Sequence, residues 1–94
     1  MKRSEILAEA DKITNGARQE HYGSPENNFA NIAMLWQCHT GKAVTPVDVA
    51  IMMILLKVAR LKADPFHMDS WVDICGYAAC GGEMVSERTR VEGN

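Results

Sequence analysis

The chain has 94 residues, 47% hydrophobic and 23% charged, which bounds it to one globular domain spanning residues 1–94. A net charge of -2 and a pI near 5.9 exclude the basic excess of a general nucleic-acid binder, although a local basic pocket stays open. The longest apolar run, 49–56, is too short for a bilayer, and Met1–Ala10 reads as a charged helix rather than a secretory leader, so a cytoplasmic protein is expected.

The elements read as four helices with short joints. The first is expected over Ser4–Asn15, with Ser4 as N-cap, Gly16 as stop, and Ile6, Leu7, Ala10 and Ile13 on one stripe. The second opens on Ser24, with Pro25 at its first position and Glu26 at the positive end of its dipole. It carries Phe29, Ile32, Ala33 and Trp36 at helical spacing and ends at Gly41. The third repeats that grammar with Thr45, Pro46 and Asp48. Its body, VAIMMILLKVARL, is apolar nearly all round until Lys57, and Asp64-Pro65 breaks it. A helix apolar on every side lies at the centre of a bundle or in a subunit interface. A chain of this size buries only about 60–65% of its unfolded surface. An all-α, homo-oligomeric bundle of about four helices is therefore expected, with Met52 and Met53 as interface candidates.

The fourth helix is expected to begin near Asp69 or Ser70 and to run to about Glu87, with the tail TRVEGN frayed. Gly76, Gly81 and Gly82 each cost it roughly 1 kcal/mol of helix propensity, which suits positions where another helix or a ligand comes close. No segment shows strict alternation, so strands are not expected.

Cys38, Cys75 and Cys80 form no CxxC pair, and Cys75 and Cys80 stand about 140° apart on a helix. Reduced thiols fit this pattern, and zinc does not fit without a four-ligand cluster.

Polar groups in so apolar a chain are costly to bury unless they pair with one another or with a ligand. Lys57 and Arg60 share a helix face and suit a phosphate or carboxylate. Equally, they snorkel from an apolar helix end, or Arg60 pairs with Asp69 or Asp73 across the hairpin. Asp69 and Asp73, four apart, suit Mg²⁺. Equally, Asp69 is an N-cap and Asp73 a first-turn acid. Arg18, His21 and Tyr22 precede Gly23, and Tyr22 suits stacking on a base with Arg18 or His21 on phosphate. The alternative is a polar turn whose Tyr packs on the bundle. Asn27, Asn28 and Asn31 read as a solvated face, Trp36 and Trp71 as core, and His39 and His67 as structural or exposed. Ser24 has no base-and-acid arrangement and reads as a cap.

The motifs HYG at 21–23, LW at 35–36, K-x-x-R-L at 57–61 and D-x-x-x-D-x-x-G-Y at 69–77 occur together. As a set they resemble a family of small helical phage and prophage proteins known as a domain of unknown function. More remotely, the chain is similar to the phage nucleotide-modification-associated domains and to the all-helical nucleoside triphosphate pyrophosphatases. The latter hold Mg²⁺ with an E-x-x-E pair and an E-x-x-D pair. This chain lacks the E-x-x-E, and its two aspartates stand four apart. The resemblance implies a nucleotide or nucleotide-derived ligand, bound between helices and sequestered without turnover as a viral defence against an immune signal. Arg18, His21, Lys57 and Arg60 would meet phosphates, Tyr22 a base, and Asp69 and Asp73 the cations, a ribose or a base. No cofactor is expected in that role. The alternatives are an Mg²⁺-dependent pyrophosphatase using Asp69 and Asp73 with Glu20 or Glu26, and an interaction module that inhibits a host enzyme.

Overall fold

The computed structural model describes the backbone of residues 1–16 and 25–93, and side chains within 1–16 and 27–87. Every regular element among the described residues is an α-helix: α1 (Arg3–Asn15), α2 (Pro25–Thr40), α3 (Pro46–Ala63) and α4 (Met68–Gly93). The expected all-α architecture of four helices is present. No helix of the described residues is long and apolar enough to cross a membrane.

The helix ends follow from local chemistry. α3 starts with a full capping box, in which the Asp48 N–H donates to Thr45 Oγ1 (3.1 Å) and the Thr45 N–H donates to Asp48 Oδ2 (2.9 Å). Pro46 takes the first helical position, where its missing N–H costs nothing. α2 ends at Gly41, whose φ of +71 is a left-handed conformation that glycine adopts without penalty. The expected cap at Ser4 is corrected: α1 begins at Arg3, because the Glu5 carboxylate reaches back to accept the Lys2 N–H at 3.0 Å. Ser24 lies outside the described residues. α4 also differs at both ends. It begins at Met68, so Asp69 is a first-turn acid rather than a cap. Its backbone stays helical to Gly93, since the tail residues before that glycine are adequate helix formers with nothing to stop them.

α3 and α4 form an antiparallel hairpin with the most extensive packing in the molecule. α1 lies against α4, and α2 lies against α3. The fully buried core is mostly small side chains around one phenylalanine. Phe29, Ala33, Val49, Ala50 and Cys80 form its buried cluster, flanked by Ile32, Trp36, Val44, Met53, Tyr77 and Met84. Burying Phe29 contributes about 2–3 kcal/mol, and close helix approach adds to the packing. Gly81 allows that approach to α3, because a Cβ there would stand 3.1 Å from the Ala50 Cβ. Gly76 packs beside α1, where a Cβ would make an ordinary contact with the Thr14 Cγ2 at 3.4 Å. Gly82, by contrast, faces open space.

Some expected core positions are outside. Leu7 is exposed although Ala10 on the same stripe is buried, so only part of the α1 face is covered. Trp71 is 45% exposed; its indole Nε1–H donates to the Pro65 carbonyl at 2.9 Å, which holds the ring over the α3–α4 turn instead of in the core. Of the two expected interface methionines, Met52 is exposed, whereas Met53 packs against the core. The three cysteines are thiols, with Cys38 exposed, Cys75 half-buried and Cys80 buried.

Candidate functional site

The α3–α4 turn sets which polar side chains can meet. Asp64 ends α3 with its N–H on the Arg60 carbonyl (2.9 Å), and its Oδ1 accepts the Phe66 N–H (3.1 Å). The chain reverses through Pro65, and the Ser70 N–H donates to the His67 carbonyl at 3.1 Å. Ser70 is fully buried, and its Oγ lies 2.7 Å from His67 Nδ1. That bond supplies the partner a buried hydroxyl requires, and it makes His67 structural rather than a ligand. Nothing in the local sequence marks Ser70 as the one fully buried polar residue among those described; the hairpin's geometry decides it.

The reversal and the Gly81–Ala50 approach fix the hairpin register. That register brings Lys57 on α3 to Asp73 on α4, with Nζ 3.0 Å from Oδ2 and the side chains only 16% and 27% exposed. A largely buried pair gains Coulomb energy in a low dielectric but gives up much of its hydration, so its net value is modest while breaking it is costly. The alternative of Arg60 pairing across the hairpin is therefore corrected at Asp73, which Lys57 holds. Lys57 lies nearer the hairpin's inner side, whereas Arg60 sits in the last turn of α3 and is exposed. Asp69, one turn before Asp73, is also exposed.

Tyr77, one turn beyond Asp73, packs its ring on Phe29 with centroids 5.9 Å apart and planes tilted by 33°. This aromatic contact ties α4 to α2 beside the ion pair. Among the described residues no three His, Cys, Asp or Glu side chains are grouped to hold a metal ion. Arg18, His21, Tyr22 and Glu20 lie outside the described residues, as does the side chain of Glu26. Of the seven proposed ligand-binding residues, Lys57, Arg60, Asp69 and Asp73 thus fall along the turn end of the hairpin, with Lys57 and Asp73 in direct contact.

The chain is 44% identical over 82 residues to the Gene 55 protein of Mycobacterium phage D29, covering 87% of this chain and 54% of that protein. It is 49% identical over 74 residues to the Gene 55 protein of Mycobacterium phage L5, covering 78% of this chain and 47% of that protein. The chain therefore spans about half the length of the curated relatives it matches. No solved structure matches it significantly. The model of the Domain of unknown function (DUF6378) matches residues 5–85, nearly the whole helical core just described, and the chain belongs to that family.

Proposed function

We propose that this protein binds an anionic, nucleotide-derived small molecule and holds it without turnover, as a self-associating phage-type sequestering protein acting in the host cytoplasm. The observation that carries the reading is the exposed Arg60 guanidinium one turn beyond the Lys57–Asp73 pair. The pair anchors the hairpin end, and Arg60 presents a planar donor fork suited to phosphate. Arg18 and His21 would supply further cations and Tyr22 a stacking ring. The motif likeness to the nucleotide-modification-associated domains supports a nucleotide as the ligand class. Binding without turnover is favoured over Mg²⁺-dependent hydrolysis because Lys57 already occupies an oxygen of Asp73, so a metal would have to compete with an ammonium for that carboxylate.

The test is a nucleotide panel, including cyclic dinucleotides and ADP-ribose derivatives, incubated with the protein and Mg²⁺. Free ligand is followed by chromatography before and after heat denaturation. Depletion followed by release of intact ligand is expected, and Arg60→Ala is expected to abolish it with the helical content unchanged. Ligand returned as product, with turnover lost in Asp73→Asn, would replace sequestration by hydrolysis. A second reading, an interaction module that inhibits a host enzyme, draws on the large exposed apolar side chains of α3. It predicts no depletion by any member of the panel.

A further inference from the structure

The outer face of α3 is unlike the rest of the surface. Ile51, Met52, Leu55, Leu56 and Val58 are between 45% and 60% exposed. At about 100° per residue they fill one continuous arc of about 160° on the helix, with Leu55 near its middle. The opposite arc carries Val49, Ala50, Met53 and Lys57, which pack against the other helices or pair with Asp73. Exposed large apolar residues on α1 and α2 are a single Leu7 and the neighbours Met34 and Leu35. The turn and α4 expose Phe66, Met68 and Trp71 together at one end and Val85 farther along. Among the described residues only α3 presents an apolar stripe that runs along the helix for about two turns.

Two charges bracket that stripe. Asp48 precedes Leu55 by about two turns and Lys62 follows it by the same distance, both on the outer arc. Asp48, Ile51, Leu55, Val58 and Lys62 are spaced alternately three and four apart, which is the seam spacing of two packed helices. The Asp48 Oδ2 accepts the Thr45 N–H, which orients the carboxylate and leaves its other oxygen for a second partner. Lys62 is exposed.

We propose that the occupant of this face is a second copy of the chain, joined by an isologous two-fold contact in which the two α3 helices run antiparallel and cross at Leu55. In this arrangement each copy's Asp48 meets the other copy's Lys62, so the seam is apolar in its centre and closed by an ion pair at both ends. A parallel arrangement would place Asp48 against Asp48 and Lys62 against Lys62. The charge order along α3 therefore selects the antiparallel pairing, and a two-fold axis through Leu55 closes the contact at two copies. About 21 Å of helix separates Asp48 from Lys62, enough for the core of a dimer contact. The inference rests on the self-association proposed above and assigns it to a face.

Sedimentation of the whole chain tests it. The wild type is expected to be associated at micromolar concentration. Leu55→Glu, at an exposed position, is expected to keep its helical content by circular dichroism and to weaken association at least about tenfold. Lys62→Glu, which sets acid opposite acid, is expected to weaken it less, with a deficit that shrinks in high salt. Met34→Glu on α2 is expected to leave it intact. A wild type that stays monomeric would overturn both the self-association and this interface, and would leave the face to a different occupant. A dimer that persists in Leu55→Glu would overturn the interface and leave self-association standing.

Discussion

The inner and outer faces of α3 are both largely apolar, yet one is buried and the other exposed. Inside, Val49 and Ala50 are buried, Ala50 lies so near Gly81 that a single Cβ would crowd it, and Lys57 is held by Asp73. Outside, larger side chains such as Leu55 and Leu56 remain half exposed. Hydrophobicity alone does not decide which face closes the fold. Small residues line the closest approach of α4, at Ala50 and Gly81, and large apolar residues remain on the exposed face.

This contrast is sharpest at Gly81. Gly81→Val should push α3 and α4 apart and destabilise the protein by about 2–3 kcal/mol in urea unfolding. An unchanged midpoint would mean that the α3–α4 approach does not govern stability. Next come Lys57→Ala and Asp73→Ala, each expected to cost about 1–2 kcal/mol, between the values for exposed and fully buried pairs. Replacing both residues, Lys57→Met with Asp73→Leu, should recover most of that loss, because no charge is then stranded. Gly82 has nothing near it, so Gly82→Ala should stabilise by about 0.5–1 kcal/mol through helix propensity. If Gly82→Ala destabilises instead, that side of α4 is covered rather than open. Smallest of all, Leu55→Glu should change the unfolding free energy of the dilute, dissociated chain by no more than about 0.5 kcal/mol. A larger loss would place Leu55 in the core.

Much of the fold is legible in the sequence because its helix signals are local. Thr45 caps α3, with Pro46 at its first position and Asp48 in its first turn as expected, Gly41 stops α2 in a left-handed conformation, and the all-round apolarity of α3 matches a face that stays exposed. What the sequence hides depends on register between helices. Lys57 and Arg60 are about 60° apart on α3, so either could have met Asp73; the turn through Pro65 and the Gly81–Ala50 approach choose Lys57. Trp71 reads as core by its neighbours, yet its indole N–H is drawn to the Pro65 carbonyl at the surface. Ser70 reads as a helix start, yet it is buried on His67. Spacing along one helix shows which residues share a face, but not which neighbour that face will meet.

The most direct measurement is a cross-link at the proposed two-fold axis. Leu55→Cys is made in a background carrying Cys38→Ser and Cys75→Ser, and the protein is oxidised mildly at micromolar concentration. If the outer face of α3 meets itself in a second copy, the two introduced thiols adjoin across the axis and a covalent dimer forms rapidly, whereas Met34→Cys in the same background stays monomeric. A Leu55→Cys protein that keeps its free thiol, or that cross-links no faster than Met34→Cys, would contradict the division of α3 into a face that closes the fold and a face that joins two copies.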